Sequence, residues 1–391
     1  MALDSAIVGL GMTEMGKVHG VTAEELASDA IALALDDAGL SKGDLDGLLI
    51  NSNMSSEMAP TLQMALGLEN LGLIAGMTTY GATVGSMLQF ADTAIAAGNA
   101  NVIALVYADV PMKQGGSISK TSSYAGTALP QQPGINGLRY TYGNIGSGTI
   151  EYAMAARRHM HEYGTTSEQL GHIAVAQRAW AQMNPRAQMN GRPLSLEEYH
   201  DSRLVVDPLH LFDCCLVSNG AIAVIVTSAG RAAQLRQPPV HILGIGHGAP
   251  GDNWRKGRDP GVITGAVTAG PAALRAAGVE LADIDVAQIY DCYTYTVLVT
   301  LEDYGYCGKG EGGPFVEDGK LSPGGGLPIN TGGGQLSSYY MWGFTPLSEG
   351  VLQTRGQAGE RQVDKHELVL VSGNGGNLNW HSTTILGASA S

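Results

Sequence analysis

AIALALDDAGLSKGDLDGLLI, Ala30 to Ile50, reads as a helical pattern ended by Gly39, a polar turn carrying Asp44-Leu45-Asp46, and an apolar run suited to a parallel strand covered on both faces. The same order returns in AVTAGPAALRAAGVELADIDVAQI, Ala266 to Ile289: helix, Gly278, Asp283-Ile284-Asp285, apolar strand. Two copies of one unit imply an internal duplication, and alternating helices and apolar strands make both halves α/β. At 391 residues the chain exceeds what one hydrophobic core usually serves, so two core units of roughly 150–200 residues are expected.

Working outward, Ala6–Gly9 is a short apolar run that predicts a strand, and Thr22-Ala-Glu-Glu supplies an N-cap and acidic first turn for a helix over Leu26–Ala38. TTYGATVGSMLQFADTAIAAG, Thr78 to Gly98, predicts small residues leading into a helix, and Asn101–Tyr107 the next strand. From Met112 to Phe212 the composition shifts to Gly, Ser, Gln and Tyr, as in QGGSISKTSSYAGTALPQQPGINGLRYTYGNIG, with helical segments around Tyr152–Tyr163 and Ser167–Met183. Inserted segments of this length are usually functional. Asp207–Ser228 returns to the core through a turn and an apolar strand; His241–Gly246 opens the second half. Beyond Tyr290–Thr296 come Val297–Tyr304, a glycine-rich, hairpin-like Cys307–Gly326, and a last strand His366–Val371 feeding SGNGGNLNWHST. The expected division is residues 1–111 plus 213–235 as an N-terminal half, 112–212 as an inserted loop region, and 236–391 as a C-terminal half.

A formal charge of −14 argues against nucleic acid and against an anionic membrane surface. No stretch of about 18 apolar residues offers a membrane span, and MALDSAIVGLGMTEMG lacks the pattern of a signal peptide, so a cytoplasmic protein is expected. Cys214, Cys215, Cys292 and Cys307 form neither a disulfide framework nor a zinc-ligand pattern, and no metal is expected. Arg157, Arg158, His159 and His161 are the densest positive cluster: a solvated helix face, or a contact for an anionic group such as a nucleotide phosphate.

The chemistry-bearing stretch is NTGGGQLSSYYMWGFTPLSEG, Asn330 to Gly350, a glycine run that turns into an aromatic cluster and then a helix. Three glycines permit close backbone approach, and Tyr339, Tyr340 and Trp342 offer two phenols and an indole. Gly81, Ala82 and Thr83 stand at the start of the first buried helix, where free N–H groups suit a nucleophile or an oxyanion. No serine, cysteine or histidine stands in that turn.

The duplicated unit, Asp207–Ser228 with its CC and SNGA, Tyr290–Thr296, NTGGG at Asn330–Gly334 and GNGG at Gly373–Gly376, in this order, resemble the thiolase superfamily over nearly the whole chain. The resemblance implies a thiolase-like five-layer α-β-α-β-α fold, a homodimer, and acyl-coenzyme A thioesters as substrates. The departures are specific. Gly81 stands where condensing thiolases carry a nucleophilic cysteine, Tyr340 where they carry a histidine, and Gly373 where they carry a second cysteine. Glycine has no side chain to acylate, so Claisen chemistry through an acyl-cysteine is excluded.

GQLSSYYMWGFTPLSEG, YDCYTYT and KGEGG are similar to the thiolase-like aldolases of steroid side-chain degradation, the lipid-transfer-protein thiolases. That resemblance implies retro-aldol cleavage of a β-hydroxyacyl-CoA without a covalent intermediate; a 17-hydroxy steroid with a propanoyl-CoA side chain would give a 17-ketosteroid and propanoyl-CoA. It implies no permanently bound cofactor and a partner with an OB-fold and zinc ribbon, a hydratase subunit. Tyr290 and Tyr340 match the family's two functional tyrosines. A retro-aldol needs a base, donors for the developing enolate, and an acid. Asp291 is a candidate to orient Tyr290 or to make a structural hydrogen bond, His381 to act in catalysis or to sit satisfied in the core, and Gly81 and the Gly373–Gly376 run, Gly375 within it, to give backbone donors. Arg157 and Arg158 are the candidates for coenzyme A. Two other readings stay open: a non-catalytic acyl-CoA or lipid carrier, and an acyltransferase using another nucleophile such as Cys292.

Overall fold

The computed structural model describes residues 3–53, 58, 60–112, 114, 148–250 and 261–390. The Gly/Ser/Gln/Tyr-rich stretch that opens the inserted region falls almost wholly outside the described residues.

Strand β1 (Ser5–Met12) is followed by α1 (Ala23–Ala38), whose start is fixed by a capping box between Thr22 and Glu25 and whose end is Gly39 in the left-handed conformation. Helix lies on strand without intervening side chains. A Cβ on Gly9 or Gly11 would fall 2.1 Å from the Ala34 carbonyl oxygen or 2.0 Å from that of Ala30. The second half repeats this between β8 (Val240–Gly248) and α8 (Ala266–Ala277), where Gly244, Gly246 and Gly248 face the carbonyl oxygens of Ala273, Ala269 and Gly265.

The duplicated Asp-x-Asp has the same task in both places. Asp44 accepts from the Ser41 N–H and Asp283 from the Glu280 N–H, each closing a 3₁₀ turn. Asp46 then accepts from the N–H of Val102, the first residue of β4 (Val102–Asp109), at 2.8 Å, and Asp285 from that of Leu368, the first residue of β10 (Leu368–Gly375), at 3.0 Å. Each aspartate thereby sets the register of its own strand, β2 (Gly47–Asn51) or β9 (Val286–Gln288), against a parallel neighbour.

With β3 (Leu73–Met77), β7 (Gly220–Ser228) and β11 (Trp380–Gly387), these strands form one nine-stranded sheet in the order β3-β2-β4-β7-β1-β8-β11-β10-β9. Its centre is a short seam, Ala6 opposite His241 and Ile7 opposite Val240. Around the seam the order is mirrored: β1 by β8, β7 by β11, β4 by β10 and β2 by β9. A parallel bridge from Ala287 to Ile329 occupies the place of β3.

Side-chain alternation builds the layers. Val102, Ala104, Val106 and Ala108 of β4 join α1 on the outer face, and Ile103, Leu105 and Tyr107 face inward onto Met87 and Leu88 of α3 (Thr83–Ala96). Both α3 and α11 (Phe344–Thr354) touch strands of both halves, so they fill the space between the two sheet halves. The layer order is α1, sheet, α3 with α11, sheet, α8, a thiolase-like five-layer α/β fold.

The intervening chain forms α4 (Gly148–Tyr163), α5 (Ser167–Gln182), the one-and-a-half-turn α6 (Leu196–Asp201) and the two-stranded β5–β6 (Leu204–Val206, Leu209–His210). Short helices α2 (Thr61–Leu66) and α7 (Ala229–Ala232) come after β2 and β7, α9 (Thr294–Tyr304) follows β9, and the single turn α10 (Gly312–Phe315) comes next. Two expectations need correction. Cys307–Gly326 is not a hairpin but a string of turns around a single helical turn, Gly312–Phe315, because Pro314, Pro323 and the glycines leave no run able to pair. The chain also does not stop at one terminal strand: NWHSTTILG returns as β11, paired along its length with β10. Among the described residues no helix is long and apolar enough to cross a membrane.

Candidate active site

Past β9 the N–H of Ile289 donates to Asn330 Oδ1 at 2.7 Å, and the chain bends through Tyr290–Tyr293 into α9. The bend is held by Asp291. Its carboxylate accepts from the Gln335 N–H at 2.9 Å and the Leu336 N–H at 3.2 Å, where the glycine run turns into a π-helical segment, Gly334–Ser338. A Cβ on Gly334 would sit 2.1 Å from Asp291 Oδ2. Burial pushes the Asp291 pKa up to about 7, against the pull of these N–H donors. Asp291 is thus the brace between YDCY and NTGGG.

On the other side of the π-helical segment, the Tyr340 N–H donates to Ser218 Oγ at 2.9 Å and the Met341 N–H to Thr345 Oγ1 at 2.8 Å, ahead of α11. These anchors bring the Tyr340 and Tyr290 phenol oxygens to 3.2 Å, so residues 50 positions apart share a hydrogen bond. Tyr290 is only 4% exposed, and burial holds its pKa well above the usual tyrosine value. At neutral pH it is a neutral phenol able to give a proton. Tyr340 is half-buried.

The Tyr290 ring lies over Gly81. A Cβ there would meet Tyr290 Cε2 at 2.1 Å and the Asn374 carbonyl oxygen at 2.3 Å. Gly343 and Gly373 close in as well, their hypothetical Cβ atoms 2.3 and 2.5 Å from the Gly81 carbonyl oxygen, and Gly375 lies against Thr79 in the same way. The space for a side chain at 81 is taken by the Tyr290 ring. The turn itself, Tyr80–Ala82, carries Tyr80 at φ +54°, held between Trp342 and Trp380 at ring separations of 5.6 and 6.0 Å.

Cys292 is buried with its Sγ 3.5 Å from Thr296 Oγ1, and burial raises its pKa to about 12. It is a packed thiol, far from the thiolate that acyl transfer requires. His381 occupies β11 opposite Asn374, but its Nε2 contacts Tyr304 Oη at 2.8 Å and Ser372 Oγ at 3.2 Å, and burial lowers its pKa to about 3. It is a neutral core histidine and is not brought to the tyrosine pair. Arg157 and Arg158 stand on α4, the first paired with Asp207 and the second with Glu162 at 3.1 Å. The positive cluster is divided, since His159 is buried between Thr165 Oγ1 at 2.9 Å and Glu302 Oε2 at 3.0 Å.

Sequence reasoning missed Tyr152 and Asn374. The Tyr152 phenol donates to Asn374 Oδ1 at 3.2 Å, and its ring lies 4.5 Å from that of Tyr293. Asn374 was visible as the one polar residue inside GNGG; nothing in the sequence pointed to Tyr152. Among the described residues no group of three or more His, Cys, Asp or Glu side chains is placed to hold a metal ion.

Residues 247–388 match the family described as thiolase C-terminal domain-like. The chain is 35% identical to the 17-hydroxy-3-oxo-4-pregnene-20-carboxyl-CoA lyase of Mycobacterium tuberculosis, over 95% of this chain and 96% of that one. It is 34% identical to the steroid side-chain-cleaving aldolase of Thermomonospora curvata, over 95% of each. The solved structure of the Ltp2-ChsH2(DUF35) aldolase matches with a TM-score of 0.86 and 32% identity, over 98% of each chain.

Proposed function

Because the chain belongs to the thiolase-like aldolases, we propose that it cleaves a 17-hydroxysteroid propanoyl-CoA by a retro-aldol reaction to a 17-ketosteroid and propanoyl-CoA. One observation carries the reading: two phenols lie 3.2 Å apart, and the ring of one, Tyr290, covers Gly81, a backbone position that has no nucleophile. The hydroxyl proton of the substrate leaves through the tyrosine pair as the C–O bond becomes a carbonyl. The electron pair of the breaking Cα–Cβ bond passes into the thioester enolate, whose carbon then takes a proton. Overall one carbon–carbon bond is lost and protons balance, so no cofactor is needed beyond the coenzyme A that the substrate carries. Tyr290, kept neutral by burial, suits the donor's part in this exchange.

Acyl transfer through Cys292 is disfavoured by a thiol that holds its proton to about pH 12. The reading extends to assembly. Among the described residues strand β3 pairs only with β2, and Ile74 on it is exposed, which supports a homodimer built across that edge. The solved relative named for both Ltp2 and ChsH2(DUF35) supports a second protein as partner, in which we place an OB-fold and zinc ribbon. Four unpaired cysteines suit a cytoplasmic setting.

The test is incubation with 17-hydroxy-3-oxo-4-pregnene-20-carboxyl-CoA, alone and with the partner, and mass spectrometry of the products. Formation of the 17-ketone with equimolar propanoyl-CoA, lost in Tyr340→Phe, supports the reading. Recovery of intact thioester under both conditions, or an acyl adduct on the protein, overturns it.

A further inference from the structure

Among the described residues several buried polar atoms have no partner, and one of them, Asn374 Nδ2, belongs to a residue whose backbone lies against the same point above Gly81 as the Tyr290 ring. Asn374 is 1% exposed and lies in β10 between Gly373 and Gly375. Its Oδ1 accepts from the Tyr152 phenol at 3.2 Å, which leaves the Nδ2 side of the amide facing away from Tyr152, and Nδ2 meets no acceptor among the described residues. An unsatisfied buried N–H destabilises the fold, because it has given up its hydrogen bond to water without replacing it. Sites tolerate that cost where a ligand brings the missing acceptor.

The surroundings limit what that acceptor is. The backbone of Asn374 and the ring of Tyr290 crowd the same point above Gly81, 2.3 and 2.1 Å from where a Cβ would stand. Tyr152, the partner of the amide, and the groups around it, Tyr290, Tyr293 and Cys292, are all neutral, each held protonated by burial. A fixed amide dipole among neutral groups is matched to an oxygen that gains charge only as the reaction proceeds, because the donor needs no reorganisation when the charge appears.

We propose that the Asn374 side-chain amide donates from Nδ2 to the thioester carbonyl oxygen and stabilises the enolate formed as the Cα–Cβ bond breaks, with Tyr152 as the positioning residue that holds the amide's N–H side toward the substrate. The amide shares its hydrogen without losing it; the negative charge is discharged when the enolate carbon is protonated. This rests on the retro-aldol reading of the site and adds the group that carries the charge.

The test separates the two. Wild type, Asn374→Ala and Tyr152→Phe are titrated with propanoyl-CoA and with S-propyl-CoA, in which two hydrogens replace the carbonyl oxygen, and their turnover of the hydroxyacyl-CoA is measured beside thermal midpoints. Asn374→Ala is expected to weaken propanoyl-CoA binding by about 3–10-fold, leave S-propyl-CoA binding unchanged, and lower kcat on the order of 10²–10³-fold. Tyr152→Phe, which frees the amide to rotate, is expected to lower kcat by about tenfold and to change the affinity for propanoyl-CoA alone. Equal losses for both coenzyme A compounds, or wild-type kcat in folded Asn374→Ala, overturn the proposal. Absence of cleavage by wild type overturns the retro-aldol reading, while the two binding titrations still decide whether Asn374 touches the carbonyl.

Discussion

In the first half of the molecule β1 lays Gly9 and Gly11 under α1, and Asp46 ties β2 to β4; in the second, β8 lays Gly244, Gly246 and Gly248 under α8, and Asp285 ties β9 to β10. Past the ends of these strands the likeness stops. The first half contributes Gly81, a position with no room for a side chain, whereas the second contributes Tyr290, Asp291, Tyr340 and Asn374. The frame was duplicated and the chemistry was not. A bare glycine in one half makes the site because a tyrosine from the other half fills the volume above it.

The comparison is broken most directly at Tyr290. Tyr290→Phe removes one buried oxygen and is expected to lower kcat on the order of 10²–10⁴-fold while stability to urea changes by about 1 kcal/mol. Unchanged turnover in the folded variant would return the chemistry to some other element. The opposite separation is expected in the frame: Gly246→Val drives a side chain into the Ala269 carbonyl and should cost about 3 kcal/mol or more of stability, with the folded fraction turning over normally. A selective loss of kcat there would mean that frame and site are coupled.

Asp291 belongs to both, and pH distinguishes its parts. Its folded pKa of about 7 lies above the ordinary carboxyl value of 3.8, so the native state holds the proton more tightly than the unfolded chain. The stability this confers is full below about pH 3.8 and is lost as pH rises to about 7, by at most about 4 kcal/mol. Asp291→Asn should remove that slope, which paired urea titrations at pH 5 and pH 8 would measure; an identical slope in both proteins would show that the brace does not titrate there. The smallest effect concerns the helix starts. Helix α1 has the Thr22 capping box, whereas α8 starts at Gly265 without a side-chain cap, so Thr22→Ala should cost about 1 kcal/mol and leave kcat untouched.

Much of the frame was legible because its signals are local: Thr22 and Glu25 three apart, Gly39 and Gly278 at helix ends, and the repeated Asp-x-Asp are all contiguous text. The tyrosine pair was legible for another reason, since both residues stand inside motifs that could be compared with a family. Tyr152 and Asn374 are 222 positions apart, and no periodicity encodes their contact. β11 was hidden by its polar residues, since His381 and Thr383 on one face and Ser382 and Thr384 on the other are all buried, and the first two meet the Tyr304 phenol only once the hairpin with β10 has closed. The sequence also showed that Gly81 lacks a nucleophile, but not that Tyr290 had taken its space.

The central layer decides whether the duplicated protein can be dissected. Each half looks self-contained at its outer face, yet α3 and α11 each touch strands on both sides of the seam. A fragment cut at the seam would keep its helix-on-glycine outer face and lose the wall against which its inner helix is buried. Met87, Leu88 and Phe344 would then meet solvent, so the repeat is a unit of history and of architecture without being a unit of folding.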